Sequence, residues 1–167
     1  EIACIDLLYA GGIDGLLISP SYGTTDFKHL KKLQEAGLPI VLFDRLSDDI
    51  ETHKVAADHF NGAYNATKHL IEQGFKSIAH INSDTQLSMA TARFEGYKKA
   101  LTDAGLPIDN ELIKFIDTTS LPVLNENLEA AIHELMNLAV RPDAIFTATD
   151  SLTTRCLVML NQMNHNI

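Results

Sequence analysis

The feature that most constrains this chain is a regular alternation of strand-sized apolar runs with segments whose apolar residues recur at helical spacing. Ile2, Ile5, Leu8 and Tyr9 fall on a helical repeat that Gly11 and Gly12 stop. Residues 15–19 form a short apolar run ended by Pro20, which predicts a buried parallel strand. Phe27, Leu30 and Leu33, behind Thr24, Thr25 and Asp26 and closed by Gly37, predict a helix, and residues 39–43 a second strand. Residues 45–53 are polar and carry no helical stripe, so the next apolar run, residues 55–57, is expected to follow without a crossover helix. Alternation then resumes. Ala63, Ala66, Leu70 and Ile71 mark a helix ending at Gly74, before a strand at residues 77–81. Phe94, Tyr97, Leu101 and Ala104 mark another, ended by Gly105, before a strand at residues 112–116. A helix on Leu128, Ala131, Ile132 and Leu135, a strand at residues 144–147 and a helix on Leu152, Cys156, Met159 and Leu160 complete the series. The expectation is an α/β fold: parallel sheets, helices on both faces, right-handed crossovers.

Composition narrows the functions open to such a fold. With 13 Lys and Arg against 22 Asp and Glu, the net charge is −9, the wrong sign for a surface that grips nucleic-acid phosphates. No apolar run approaches the roughly 20 residues of a membrane-spanning helix, so no membrane partner is expected. Cys4 and Cys156 have no metal-type spacing and fit free thiols in a reducing compartment. The seven histidines are scattered, with no i, i+4 pair. His80, inside a strand, reads as a core or rim residue. No metal, cofactor or catalytic residue is expected: Gly11, Gly12 and Gly15 precede a strand instead of following one, which defeats a dinucleotide or phosphate loop, and no Gly-x-Ser-x-Gly is present.

Ligands of open parallel sheets bind outside the carboxyl ends of the strands. Those ends carry Ser19 and Ser21, Asp44 and Arg45, Asp58 and Asn61, Asn82, Ser83 and Asp84, Asp117, Thr118 and Thr119, then Thr149 and Asp150. Neutral hydroxyls and amides with a few carboxylates suit a polyhydroxylated or heterocyclic ligand better than an anion. The same residue types are also the preferred helix N-caps, which is the competing reading for each. Arg93, early in the helix after the polar loop, offers five fixed donors for a carboxylate or vicinal hydroxyls; its alternative is a surface pair with Glu95 or Asp84.

Five ordered stretches then resemble one family: GIDGLLISPS (residues 12–21), AGLPIVLFDR (36–45), NGAYNATKHLIEQGFKSIAHI (61–81), ARFEGYKKALTDAGL (92–106) and RPDAIFTATD (141–150). In order and interval they are similar to the effector-binding core of the LacI/GalR transcriptional regulators. The resemblance implies a periplasmic-binding-protein-like fold of two doubly wound parallel-sheet lobes holding a small ligand between them. Residues 1–75 would be part of the N-terminal lobe and residues 76–167 part of the C-terminal lobe. The helix-first opening and the ending just after a helix fit a core truncated at both ends, with the helix-turn-helix DNA-binding domain absent from these residues. Carried over by position, Arg93 matches an arginine that hydrogen-bonds effector, and Asn61 a polar residue that reaches it. Thr149 and Asp150 match an Asn/Ser-Asp pair at a cleft-facing strand end, Thr149 standing where Asn is usual. Ser21 and Asp117 are cleft-edge candidates. Arg155 stands where the family has a small glycine.

The implied function is a small-molecule sensor, for a sugar or nucleobase-like effector, that controls operator DNA binding through a domain outside this chain. The resemblance further implies a cytoplasmic homodimer without enzymatic activity. The competing readings are a periplasmic sugar-binding protein of a transport system, which shares the fold, and a small-molecule enzyme on the same kind of sheet.

Overall fold

A computed structural model describes residues 1–21, 23–83 and 88–163. Among them the alternation appears as six helices and six strands: α1 Ile2–Ala10, β1 Leu16–Ile18, α2 Lys28–Glu35, β2 Ile40–Phe43, β3 His53–Val55, α3 His59–Glu72, β4 Ile78–Ser83, α4 Ser88–Asp103, β5 Ile113–Ile116, α5 Leu121–Met136, β6 Ala144–Thr147 and α6 Asp150–Gln162. The strands form two three-stranded sheets, ordered β1-β2-β3 and β5-β4-β6, and every pairing is parallel. The candidate residue Asp84 lies outside the described residues.

The third strand starts two residues earlier than the apolar run at residues 55–57 suggests. Its register pairs Val41 with His53 and Phe43 with Val55, and the Asp44 amide donates to the Val55 carbonyl at 2.9 Å. His53 and Lys54 are polar, so hydrophobic pattern cannot reveal a strand whose place is fixed by backbone pairing with β2.

By contacts the chain divides into two compact units, Glu1–Ala57 and Asp58–Ile167. This division lies before α3, which packs along α4 and belongs with the second unit. Gly96 permits that packing. A Cβ there would collide with the Phe60 carbonyl oxygen and stand 2.9 Å from the Tyr64 nitrogen and 3.1 Å from the Ala63 Cβ, so α4 approaches the backbone of α3 as only a residue without a side chain can.

In the first unit Leu16, Ile18, Ile40 and Leu42 point to one side, where Ile5 of α1 and Leu30 and Leu33 of α2 cover them. Of the stripe expected on α1, only Ile5 is buried; Ile2, Leu8 and Tyr9 are exposed. On the other side of the sheet Leu17 is 72% exposed and Val55 63%, so within this unit helices cover one face.

The second sheet is covered on both faces, and all six residues of its central strand β4 are buried. Ala79, Ile81 and Ile116 pack with Leu128, Ile132, Leu135, Leu152 and Leu160 of α5 and α6. Ile78 packs on the opposite face with Tyr97 and Leu101 of α4, joined by Leu70 and Ile71 of α3. Tyr97 is fully buried and its hydroxyl donates to the Ile78 carbonyl at 2.8 Å, which satisfies the one polar atom that a buried tyrosine carries inward.

His80 is a core residue, with no exposed surface. Its ring stacks on Tyr97 at 4.7 Å and on Phe146 at 5.0 Å, and Nδ1 lies 3.1 Å from the Phe146 carbonyl. A carbonyl only accepts, so Nδ1 carries the proton; Nε2 is buried with no hydrogen-bond partner among the described residues. Desolvation drives the pKa from 6.5 down to about 4, opposed by the bond to Phe146.

Two outcomes follow from this core. Gly96→Ala should lower unfolding stability by about 2 kcal/mol, the scale of an overpacked core site, read as a reduced midpoint in urea. For His80 the unfolded ring binds a proton that the folded ring refuses. Its contribution is therefore complete above pH 6.5 and is lost as pH falls toward about 4. Denaturant titrations across that window should show a steeper acid loss in the wild type than in His80→Leu, by up to about 3 kcal/mol at 1.36 kcal/mol per pKa unit; parallel pH profiles would contradict the assignment.

Candidate functional site

Each helix of the second unit runs back against the parallel strands, because the links Gln73–Ser77 and Asn137–Asp143 are too short for anything but an αβ return. The N-termini of α3, α4, α5 and α6 therefore share the carboxyl edge of the β5-β4-β6 sheet. Backbone N–H groups and the positive ends of four helix dipoles converge there, and there the sequence placed its polar candidates.

Asp58 caps α3. Its Oδ1 accepts from the Asn61 amide at 3.0 Å and its Oδ2 from the Asn61 side-chain Nδ2 at 2.7 Å. These two bonds, backbone first, hold the Asp58 carboxyl below its ordinary pKa. Asn61 is exposed, with its NH2 turned to Asp58. Arg93, on the second turn of α4, is half-buried, and its Nη2 lies 3.2 Å from Nδ1 of His59, the first residue of α3. Arg93 does not pair with Glu95, which takes Lys98 at 2.7 Å instead. One corner of the edge thus gathers Asp58, His59, Asn61 and Arg93.

Thr149 and Asp150 follow β6, the strand that α3 contacts. Thr149 is the N-cap of α6: its Oγ1 accepts from the Leu152 amide at 3.2 Å, which leaves the hydroxyl proton to donate elsewhere. Asp150 is exposed, and its Oδ1 accepts from the Ser151 amide at 2.8 Å. Asp117 follows β5, on the far side of β4 from β6 and hence about 10 Å from the Thr149 flank at two strand spacings. Its Oδ1 accepts from the Thr119 amide at 2.8 Å, and this bond lowers its pKa. Ser21 lies in the first unit, after β1, where its backbone N–H donates to the Glu1 carboxylate.

Capping accounts for one hydrogen-bonding function of Asp58 and Thr149, as the competing reading of strand-end residues expected; Asp117 instead closes a turn onto Thr119, ahead of α5, whose N-cap is Ser120. Arg155, on α6, is half-buried and its Nη1 donates to Asn125 Oδ1 of α5 at 2.7 Å; the large side chain is accommodated as a tie between two helices. Sequence reasoning missed His59. The usable signal is Gly96: a glycine within a helix marks a close crossing, and the arginine three residues before it lies on the same face. Among the described residues no cluster of three metal-ligating side chains exists, and no helix is long and apolar enough to cross a membrane.

The family described as periplasmic binding proteins and sugar binding domain of LacI family matches residues 1–165. The chain belongs to this family. It is 29% identical over 158 residues to the HTH-type transcriptional repressor PurR of Actinobacillus pleuropneumoniae serotype 5b (strain L20), covering 95% of this chain and 45% of the repressor. A solved complex of the transcriptional regulator CelR with cellobiose superposes with a TM-score of 0.75 at 28% identity, over 99% of this chain and 50% of that one. The transcription regulator CcpA of Lactococcus lactis gives a TM-score of 0.78 at 23% identity over 99% and 58%, a likeness of fold. The chain thus spans about half the length of the relatives it matches, and the α/β, periplasmic-binding-protein-like architecture read from the sequence is the one these relatives have.

The Thr149 cap yields a direct measurement. Thr149→Ala should cost about 1 kcal/mol of stability while Thr149→Asn stays within a few tenths of the wild type, as expected for an N-cap that needs a side-chain acceptor; equal midpoints for all three in chemical denaturation would contradict the capping role.

Proposed function

We propose that the chain is the effector-sensing part of a LacI-type transcriptional regulator, with Arg93, Asn61, Thr149 and Asp150 as effector contacts and Asp117 at the flank of the same edge. Ser21 is the corresponding candidate on the first sheet. The two units correspond to the two lobes of the family core, divided after Ala57. The observation that carries the reading is the half-buried Arg93 at the carboxyl edge of the second sheet, against His59 in the first turn of α3 and amid four helix N-termini.

The chemistry favours a neutral ligand rich in hydroxyl or amide groups, a sugar first and a nucleobase-like compound second. Arg93 supplies donors and Thr149 a hydroxyl, while Asp150 and Asp117 accept, so vicinal hydroxyls can donate and accept at once. The complex of CelR with cellobiose supports a sugar. No catalytic step is assigned: the edge binds and does not transform. Operator DNA is read by residues other than these, whose charge of −9 repels phosphate. The protein acts in the cytoplasm as a homodimer. Allosteric control requires only that the effector bind the DNA-competent and DNA-incompetent states with different affinity.

The test is a thermal-shift screen of the full-length protein with cellobiose, D-glucose, D-ribose and hypoxanthine. A ligand at 100 times its Kd stabilises the fold by about 2.7 kcal/mol. Arg93→Ala should lose the shift given by the active compound while retaining operator binding in a gel-shift assay. An undiminished titration in Arg93→Ala would sink the assignment, and turnover of the compound would transfer the protein to the enzymes.

A further inference from the structure

We propose that His59 is a positioning residue for Arg93. Its ring nitrogen holds the guanidinium in one orientation and so sets the direction of the donors that Arg93 presents at the edge of the second sheet. The proposal rests on the reading of Arg93 as an effector contact.

The Arg93 Nη2 lies 3.2 Å from His59 Nδ1. A guanidinium has N–H donors and no acceptor, and it stays protonated in proteins. In this pair Nδ1 must therefore accept, which fixes His59 as a neutral ring with its proton on Nε2. That second nitrogen is enclosed, away from solvent. The acceptor is also well anchored. His59 follows the N-cap Asp58 directly, and the cap bonds to Asn61 fix the first turn of α3. Arg93 lies three residues before Gly96, whose close approach to Phe60 and Tyr64 sets the spacing of the two helices.

The consequence is a preorganised fork. A planar guanidinium with its stem rooted on α4 and one corner bonded to α3 has lost most of its rotational freedom before a ligand arrives, so less entropy is lost on binding. The choice of a neutral partner matters as well. Asp58 is committed to Asn61 and Glu95 to Lys98, and among the described residues Arg93 has no carboxylate partner. Imidazole orients the guanidinium without itself neutralising it.

Replacements that move the acceptor by one bond separate positioning from mere packing. Asparagine Oδ1 sits as many bonds from the backbone as histidine Nδ1, whereas glutamine Oε1 sits one bond farther. In the full-length protein, nitrogen-15 NMR of the Arg93 side chain should show slow rotation about Cζ–Nε in the wild type and in His59→Asn, and fast averaging in His59→Ala and His59→Gln. In titrations with cellobiose, D-glucose, D-ribose and hypoxanthine, the compound that binds the wild type should bind His59→Ala about tenfold more weakly and His59→Asn within about threefold, the scale of one hydrogen bond to a charged group. Slow rotation persisting in His59→Ala, or His59→Asn as impaired as His59→Ala, overturns the proposal; the NMR arm decides this whether or not a compound binds. If instead Arg93→Ala leaves the titrations intact while His59→Ala frees the guanidinium, the effector reading of Arg93 fails and the hold exerted by His59 stands.

Discussion

The second unit is organised around a contact between backbones. Gly96 of α4 meets the Phe60 carbonyl and the Tyr64 nitrogen of α3 at a separation that no side chain could occupy. Most helix pairs are held apart by their side chains, at axial distances of about 8–10 Å; here the missing Cβ draws two helices together over one face of the sheet. Two results follow. The helices close over Ile78 and His80, so the central strand is buried along its whole length. The first turn of α3 also meets the second turn of α4, which brings His59 and Arg93 within hydrogen-bonding distance.

Burial and polarity are balanced differently in the core and at the edge. His80 and Tyr97 are aromatic rings with polar atoms, and each of those atoms that must donate reaches a backbone carbonyl, of Phe146 and Ile78 respectively. Burying them therefore leaves no donor unsatisfied, and the ring stack adds packing on top. At the carboxyl edge a few residues away, the helix N-termini require acceptors for their free N–H groups. Asp58 and Thr149 supply them for α3 and α6, while Asp117 accepts in the turn ahead of α5. The same strand order that makes the core apolar thus forces the edge to be polar, and hydrogen-bonding side chains gather where helix ends must be capped.

Much of this was legible in sequence, and what was not has a common cause. The β6 strand was read at its observed limits because Ala144 to Thr147 lies between a proline-containing turn and a cap. The β3 strand was misplaced because His53 and Lys54 are held by pairing with β2, and register is not a property of the segment itself. The resemblance puts the lobe division near residue 75, just past the helix stop at Gly74, whereas the contacts divide the units after Ala57. A stop tells where a helix ends, however, and not which sheet it lies on; α3 is assigned by Gly96, which is 22 residues further along the chain than Gly74. His59 was passed over for the same reason, since its significance comes from a residue on another helix.

At such an edge every polar residue has two possible employers, the helix it starts and a ligand, and hydrogen-bonding capacity decides how far it can serve both. Asp58 spends an oxygen on the Asn61 backbone and the other on the Asn61 side chain, so its remaining lone pairs are crowded by a bidentate partner. Thr149 spends one lone pair on Leu152 and keeps its proton. Arg93 is different in kind, because no helix terminus needs a donor at an N-terminal edge; the backbone there is already rich in N–H groups. A guanidinium placed among them adds positive potential that capping does not call for. Among the described residues its partner is the His59 ring, and in the reading proposed for this edge its remaining donors are provision for an acceptor on the effector.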